Sequence, residues 1–561
     1  MKVFYSLETL SLDDTLLIDG LLNNNISLSE LLRPGWQGKY YRPVIDLSFF
    51  VEQYLWGGQP FGYRLTNVLI HAFNAILLYI FAKSLLKHER YGQRIAFFAA
   101  SLFAVHPVTV ESVAWISGRT DPLATFWSLI GLIFYLAWKN KGKWYLLILS
   151  FLSMATGVLA KEVAIATPAA LAVLELFFLP SFGYKKSRFA RVVIISSLTL
   201  IPVYLLFRSL IIKGEDFGLG FILENLSKSN IMFSLKMGIA SIGFYFKKFL
   251  LPAPLNFTIN NINLTFYAVV GSVLITIVSI LMFSKKQGKY CFLLIWSIGG
   301  IVPAALISFT NVAWTPWAER YLYYSAAPFS IALSMSFVDY YKKVKYVNNI
   351  VFYICIVPLL LFAILTFNRT IVMSSNELLW KDSYMKSPGF MGALNGYAQT
   401  LLKSGNIEEA EKILKKGLSL NDPKHLIYLN LGDISYGRGD YDQMKQYYIK
   451  ALDEARNDER LVTVGKAYRR DILSRLARYN LDQASIAGSD EMKERYYTKG
   501  INNLIEAYKE LPYNFINYQI AKVYIAKGDQ EKAAEYLERF IYEGGAEGYT
   551  ESAEKLLKKI K

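Results

Sequence analysis

The sequence is poor in the side chains from which metal and redox sites are built. It contains two cysteines and four histidines in 561 residues. Cys291 and Cys355 both fall inside apolar runs, where cysteine behaves as a small buried residue rather than as half of a disulfide or metal pair. No zinc-ligand spacing is present, but the histidines and scattered carboxylates leave a divalent metal ion undecided.

Sequence motifs for nucleotide chemistry are also missing. No P-loop, dinucleotide fingerprint or nucleophile elbow stands out. The loops that carry most basic residues are short, which leaves no room for a domain that binds a nucleotide sugar. A soluble nucleotide-dependent enzyme is therefore not what this composition describes.

Apolar residues are abundant and unevenly distributed. They make up 53% of the chain, and between residues 64 and 367 they form repeated runs near the 20 residues that cross a bilayer. The runs predict ten membrane spans, at about 64–86, 95–110, 122–138, 144–160, 163–180, 191–212, 265–283, 290–308, 322–338 and 346–367. Three regions follow: an N-terminal segment 1–63, a membrane domain 64–367 and a charged C-terminal domain 368–561.

The net charge of +16 is concentrated between the apolar runs. Basic clusters at 83–94, 139–143, 185–191, 285–289 and 342–345 mark cytoplasmic loops under the positive-inside rule, and this outweighs a nucleic-acid partner. The remaining connections, including segments 1–63, 106–121, 161–162, 213–264 and 309–321 and the C-terminal domain, then lie outside the cytoplasm. A multi-pass membrane protein is expected, which in a prokaryote would lie in the inner or plasma membrane.

Two segments complicate this topology. The apolar run 231–251 carries Lys236, Lys247 and Lys248 and precedes two prolines, so it is interpreted as an interfacial or re-entrant helix on the outer side. The start of the chain, MKVFYSLETLSLDD, has neither the charged nor the apolar region of a signal peptide. Either a first helix is missing or the segment crosses by an unusual route; the missing helix is favoured.

The C-terminal domain contains repeats. Gly405 and Gly439 are 34 residues apart, the tetratricopeptide period, and each lies where a helix pair would turn. The unit 516–540 repeats the pattern around Gly528. The predicted fold class is all-α: a polytopic membrane helix bundle followed by a tetratricopeptide (TPR)-like α-solenoid, whose usual role is to bind a peptide or protein. A rigid lid or an oligomerisation arm is the alternative.

Ionisable residues near membrane depth are costly, and here they favour the outer side. They are Asp13, Asp14, Arg42, His106, Glu111, Arg119, Asp121, Lys161, Glu162, Glu319 and Arg320. A carboxylate can take the proton of an attacking hydroxyl, and arginine or lysine can hold a phosphate leaving group. Transfer from a lipid phosphate needs both.

Each residue also has a structural interpretation. Paired aspartates in a loop can be solvated or cap a helix, and His106 can simply end one. Glu111, Arg119 and Asp121 can pair with one another, as can the neighbours Glu319 and Arg320. Lys161 and Glu162 can reach to the membrane interface.

At these residues the sequence resembles a known family. The Asp-Asp pair, Tyr-Arg-Pro (41–43), PFGYRLTN (60–67), HPVTVESVAWISGRTD (106–121), Lys-Glu (161–162) and AERYLY (318–323) are similar to the transmembrane and TPR-containing (TMTC-like) proteins. These belong to the GT-C glycosyltransferases, as do the protein O-mannosyltransferases. The resemblance implies a polyprenyl-phosphate sugar as donor co-substrate and an acceptor outside the cytoplasm.

The resemblance also implies roles for individual residues. Asp13 and Asp14 match the first acidic motif and are the catalytic candidates, without a ranking between them. Glu111 and Asp121 match the second acidic motif, and Arg119, Lys161 and Arg320 are candidate phosphate partners. The family has a membrane helix before the Asp-Asp pair, and this TPR array is short for the family.

The leading hypothesis is thus a membrane glycosyltransferase that moves a monosaccharide, mannose or another hexose, to a hydroxyl of a protein or glycan. The acceptor would be held in part by the TPR domain. A non-catalytic membrane-anchored TPR scaffold is one alternative. A transporter of lipid-linked sugars is another, although it would place charged residues at both faces of the bundle.

Overall fold

The computed structural model shows a chain built from α-helices. It describes residues 14, 41–184, 198, 202–204, 206, 231–283, 287–308, 315–343, 350–420, 424–457, 464–544 and 549–561. Within these ranges the extended backbone is limited to loops and one antiparallel bridge between Ile259 and Trp317. The all-α prediction is confirmed.

The chain divides into two compact units, Met1–Ser387 and Pro388–Lys561. The division falls later than the predicted boundary at 367/368. The reason is that the segment after residue 368 is fastened to earlier parts of the first unit. Arg369 Nη2 lies 3.5 Å from Glu319 Oε2, and the Ser387 hydroxyl donates to the Thr258 carbonyl at 2.6 Å.

The first unit is a bundle of mostly apolar helices. They are α1 (Pro43–Trp56), α2 (Pro60–Leu85), α3 (Gly92–Val105), α4 (Val110–Ala114), α5 (Thr120–Lys141), α6 (Trp144–Ala160), α7 (Ala166–Val173), α8 (Ile231–Leu250), α9 (Leu264–Phe283), α10 (Gly288–Ile307), α11 (Tyr323–Lys343), α12 (Ile350–Val372) and α13 (Asn376–Lys386). Proline opens α1 and α2, where its missing N–H costs no helical hydrogen bond.

Several of these helices can cross a membrane. Among the described residues, five segments are long and apolar enough, and up to seven if two bent pairs each count as one span. The five are Pro60–Leu85, Ile116–Lys141, Glu162–Phe182, Leu264–Met282 and Gly288–Ile307. The predicted span 144–160 corresponds to α6, which is shorter than the five candidate spans. The predicted span 322–338 corresponds to α11. Most of the predicted span 191–212 lies outside the described residues. The chain is a multi-pass membrane protein.

Helix α8 and its neighbour α9 cross at glycines. A Cβ on Gly243 of α8 would lie 2.1 Å from the Tyr267 carbonyl oxygen, and one on Gly271 of α9 would lie 2.1 Å from the Ile239 carbonyl oxygen. Only glycine allows the two backbones to approach this closely. The apolar run that includes Lys236, Lys247 and Lys248 is this single helix α8, which is not among the candidate spans.

Two breaks in the bundle helices occur at the polar motifs. The chain bends by 50° between Gly92–Val105 and Pro107–Ala114. The segment Glu162–Phe182 changes from 3₁₀ to α to π to 3₁₀ geometry. Such breaks free backbone groups and orient side chains towards a site, and they are tolerated where protein rather than lipid surrounds them.

The second unit consists of helix pairs. They are α14 (Met391–Lys403), α15 (Ile407–Gly417), α16 (His425–Gly437), α17 (Tyr441–Asn457), α18 (Val464–Ile486), α19 (Asp490–Glu510), α20 (Phe515–Lys527), α21 (Gln530–Tyr542) and α22 (Thr550–Ile560). Gly405, Gly439 and Gly528 take φ of 81°, 78° and 80° at the turns inside three pairs, as the sequence predicted. Within the irregular region 455–511, α18 and α19 form a longer pair.

Candidate active site

Asp14 lies against the turn that links α4 to α5. Its Oδ1 accepts hydrogen bonds from the Ser117 backbone amide at 2.9 Å and hydroxyl at 2.7 Å, and Oδ2 accepts from the Ile116 amide at 3.4 Å. The residue is fully buried. Burial raises the pKa of the Asp14 carboxyl to about 6, although the Ser117 hydrogen bonds and the charge of Arg64 lower it. Asp13, its predicted partner, lies outside the described residues.

Two ion pairs join α5, α1 and the break before α7. Lys161 Nζ lies 2.6 Å from Asp121 Oδ2, and Arg42 Nη2 lies 2.9 Å from Glu162 Oε2. Side chains of Arg42 and Glu162 keep about a fifth of their surface exposed, 21% and 19%. Four predicted site residues therefore meet at one place, because Lys161 and Glu162 are adjacent in the chain.

A third ion pair joins the bend after α3 to the turn before α11. Arg320 Nη1 lies 2.5 Å from Glu111 Oε1, and the Arg320 backbone amide donates to Glu111 Oε2 at 3.3 Å. The Arg320 guanidinium also lies over two rings, 5.3 Å from the centre of Trp115 and 4.9 Å from that of Tyr321. Cation–π contacts of this kind hold a guanidinium flat against an aromatic face.

These groups converge into one cluster. Lys161 Nζ is 5.7 Å from the centre of the Tyr321 ring that Arg320 also contacts. Burial lowers the pKa of Lys161, and the positive charges of Arg42 and Arg320 lower it further, against the effect of Asp121. Burial would lower the pKa of Arg320 as well, but Tyr321, Glu111 and Asp121 raise it overall. Lys161 and Arg320 thus share the Tyr321 ring, and the charge of Arg42 acts on Lys161.

Arg119 takes a different position from the other cations. Its guanidinium bonds Glu52 at 2.8 Å and the Tyr63 carbonyl at 3.1 Å, and it lies 3.9 Å from the centre of the Phe49 ring. The side chain is 0% exposed. We therefore assign Arg119 to holding α1 and α2 against the 116–119 turn rather than to a phosphate.

His106 and Glu319 are likewise enclosed by protein. His106 Nδ1 accepts from the Val108 amide at 3.4 Å and Nε2 contacts the Phe249 carbonyl at 3.1 Å, so its ring closes the end of α3. Glu319 accepts from Lys248 at 2.8 Å and from the Asn256 amide at 2.9 Å. Arg369 lies 3.5 Å from the other carboxylate oxygen. Both side chains therefore hold neighbouring segments of the first unit together.

The ion pairs expected between residues close together in the sequence are not formed. Each of these residues pairs with a different partner. Glu111, Arg119 and Asp121 do not pair with one another but with Arg320, Glu52 and Lys161. Glu319 pairs with Lys248 rather than with its neighbour Arg320. Charge complementarity was visible in the sequence, but each true partner is distant along the chain.

The sequence analysis did not single out some residues that shape the site. Ser117 contacts Asp14, and the rings of Trp115 and Tyr321 contact Arg320. Glu52 neutralises Arg119, and Lys248 neutralises Glu319. The first three stand inside the segments HPVTVESVAWISGRTD and AERYLY, so their position within those segments was the available signal.

A metal ion has no obvious set of protein ligands here. Among the described residues, no three histidine, cysteine, aspartate or glutamate side chains lie close enough to hold one ion. We therefore derive no chemical step through a metal.

Two regions of the chain match models of known protein families. The model of the dolichyl-phosphate-mannose-protein mannosyltransferase family matches residues 46–210, and the tetratricopeptide-repeat model matches residues 392–423, 426–458 and 516–542. The first match covers most of α1, the turn Ile116–Arg119, and Lys161 and Glu162. No solved structure gives a significant match.

Curated protein O-mannosyl-transferases are similar to part of this chain. Protein O-mannosyl-transferase F38B6.6 of Caenorhabditis elegans is 39% identical over 131 residues, 23% of this chain and 19% of the relative. Protein O-mannosyl-transferase TMTC1 of Homo sapiens is 31% identical over 160 residues, 27% of this chain and 18% of the relative. TMTC4 of Homo sapiens is 31% identical over 162 residues, 26% of this chain and 22% of the relative.

The matched segment spans about a fifth of the length of these relatives. The chain thus joins a segment similar to the dolichyl-phosphate-mannose-protein mannosyltransferases to tetratricopeptide repeats, which confirms its resemblance to the transmembrane and TPR-containing O-mannosyltransferases.

Proposed function

We propose that this protein is a GT-C-type glycosyltransferase that uses a polyprenyl-phosphate sugar. It transfers mannose or another hexose to a hydroxyl of a protein or glycan outside the cytoplasm. The observation that carries the proposal is the cluster of Arg42, Lys161 and Arg320 with their carboxylates. The buried Asp14 carboxyl binds the turn that begins at Ile116, and the preceding residue, Trp115, contacts Arg320. Similarity to the protein O-mannosyl-transferases supports it.

The proposed reaction is a single displacement at the anomeric carbon of the sugar. The acceptor hydroxyl oxygen forms the new bond to that carbon as the bond to the phosphate oxygen breaks. The hydroxyl proton passes to the Asp14 carboxylate, and polyprenyl phosphate leaves with the bonding electrons. Nothing else is consumed, so the donor alone supplies the driving force.

Cations stabilise the phosphate as it gains negative charge. Arg42, Lys161 and Arg320 retain 21%, 14% and 11% of their side-chain surface, whereas Arg119 retains none. The first three are therefore the phosphate partners of the proposal. In the structure each has its own carboxylate, so the incoming phosphate would share or displace Glu162, Asp121 and Glu111.

The charge of the loops supports the sidedness of the proposal. The predicted alternation of spans puts the basic clusters on the side opposite the site segments, and positive loops tend to stay in the cytoplasm. The donor would therefore present its sugar at the outer face, with its lipid chain in the bilayer. The TPR domain, as a repeat surface, would hold part of a protein acceptor.

The test is transfer of labelled sugar by the full-length protein in membranes. A polyprenyl-phosphate [¹⁴C]mannose serves as donor, and incorporation into membrane proteins and glycans is counted. Asp14→Asn should lower turnover at least about 100-fold, the effect of losing a general base, with the protein still folded. Asp442→Asn, the same change at an exposed position in α17, is the matched control.

The same assay separates the scaffold alternative. Full turnover in Asp14→Asn would refute the proposed mechanism, and no transfer from any hexose donor by the wild type would refute a transferase. A scaffold predicts that Asp14→Asn behaves like wild type in cells, while removal of residues 388–561 abolishes function.

A further inference from the structure

The first two backbone amides of the turn Ile116–Arg119 donate hydrogen bonds to Asp14. The opening amides of a short helix have no partner within that helix, and here Ile116 and Ser117 direct theirs to the Asp14 carboxylate. The two oxygens are treated unequally. Oδ1 accepts two hydrogen bonds, at 2.9 and 2.7 Å, both from Ser117. Oδ2 accepts one long bond of 3.4 Å, so it keeps the capacity to take a proton.

The turn itself is held from two sides. The Asn67 side-chain amide of α2 donates to the carbonyls of Val113, Trp115 and Ile116 at 3.3, 3.0 and 3.2 Å. On the other side the backbone packs so tightly that a Cβ on Gly118 would lie 2.9 Å from the Ser112 carbonyl oxygen. The direction of the Ser117 amide and hydroxyl is therefore fixed before any substrate arrives.

We propose that Ser117 is a positioning residue that orients the Asp14 carboxylate, with Oδ1 anchored and Oδ2 directed to the acceptor hydroxyl. The inference rests on the proposed function, in which Asp14 is the base. It assigns a purpose to the serine in the WISGR segment, whose hydroxyl contacts no other described group than Asp14.

A substitution at Ser117 leaves the charged neighbours of Asp14 unchanged. Arg64 of α2 lowers the pKa of Asp14 through its charge, and Arg119 at the end of the turn interacts with Asp14 electrostatically. Neither of them makes the contact that Ser117 makes. A change confined to the Ser117 hydroxyl therefore alters one donor to the carboxylate and leaves both cations in place.

The experiment compares pH–rate profiles of the full-length protein in membranes. Loss of a hydrogen bond to the ionised form raises the pKa of a carboxyl. Ser117→Ala should therefore move the acidic limb of kcat upward by about one pH unit and lower kcat at pH 7 several-fold, with KM for the donor unchanged. Ser117→Thr keeps the hydroxyl and should restore the wild-type profile.

Two further variants make the result decisive. Ser117→Cys keeps the side-chain volume with a weaker donor and substitutes for Ser117→Ala if the latter does not fold. Ser153→Ala removes a hydroxyl that bonds only within α6 and should change nothing. A Ser117→Ala or Ser117→Cys profile identical to wild type overturns the inference while an inactive Asp14→Asn leaves the proposed function standing. An active Asp14→Asn overturns both.

Discussion

The Arg320 guanidinium and the Glu111 carboxylate lie 2.5 Å apart although 209 positions separate them in the chain. Their pair fastens the bend after α3 to the turn before α11. Glu111 is 1% exposed and Arg320 11%, so neither charge is well solvated. Removing one partner of such a pair leaves the other buried and unpaired, which costs about 3–5 kcal/mol.

We expect Arg320→Met to lower the free energy of unfolding by about that amount, and Arg320→Met with Glu111→Gln together to recover most of it. Thermal unfolding in detergent, followed by tryptophan fluorescence, measures both. Transfer activity should be lost in the single and the double variant, because the phosphate partner is absent from each. Additive destabilisation in the double variant would contradict the pairing.

The activity of the wild type should depend on pH through Asp14. The base must be ionised, and its pKa is raised to about 6 by burial, so turnover should rise with pH through about 6 and level off above it. Rate measurements between pH 5 and 8, at saturating donor, give the profile. Asp46 needs a separate test, because burial also raises its pKa to about 6; if Asp14 sets the limb, Asp46→Asn will leave the midpoint in place.

Stability should respond to the same group in the opposite sense. The folded protein binds the Asp14 proton more tightly than an unfolded chain, whose aspartate has a pKa of 3.8. The contribution of Asp14 to stability is therefore greatest below about pH 4 and falls as pH rises to about 6. Asp14→Asn should consequently unfold at a higher temperature than wild type at pH 7. An equal or lower unfolding temperature at pH 7 would show that the Ser117 contact outweighs burial.

The glycine crossing of α8 and α9 should be intolerant of a single methyl group. In Gly243→Ala the new Cβ would meet the Tyr267 carbonyl oxygen at 2.1 Å, which forces the helices apart and should cost about 1–3 kcal/mol. Gly238→Ala lies on the same helix with nothing within 4 Å and should be neutral or stabilising by up to about 1 kcal/mol. Unfolding temperatures of the two variants give the comparison; equal values would contradict the close approach.

The sequence predicts features that depend on residues close together in the chain better than contacts between residues far apart in it. Apolar runs and the 34-residue spacing of Gly405 and Gly439 are local signals. Helices lie at the predicted runs that the structure describes, and the glycine turns are present. The pairing of charges is not local. Arg119 is a candidate phosphate partner by its motif, and it pairs with Glu52 in α1. No pattern within either segment indicates that contact.

The TPR turns offer a test of the local signals. Gly439 has φ of 78° and open space around its Cβ position, so Gly439→Ala suffers only from the left-handed backbone, at about 1–2 kcal/mol. Gly437 ends α16, has equally open space and does not take positive φ, so Gly437→Ala is the matched control and should not destabilise. Urea unfolding of the full-length protein in detergent, followed by circular dichroism, distinguishes them. Equal midpoints would show that φ at this turn can relax.

The one-to-one matching of Arg42, Lys161 and Arg320 with Glu162, Asp121 and Glu111 bears on which anions the cluster admits. Because each cation is already neutralised, the cluster exerts little long-range attraction on small dissolved anions. A ligand gains entry only if something besides its phosphate contributes to binding, and a hydrocarbon chain held in the bilayer does so. Inorganic phosphate would then be a poor competitor even at millimolar concentration, and discrimination would come from the lipid part of the donor rather than from its charge.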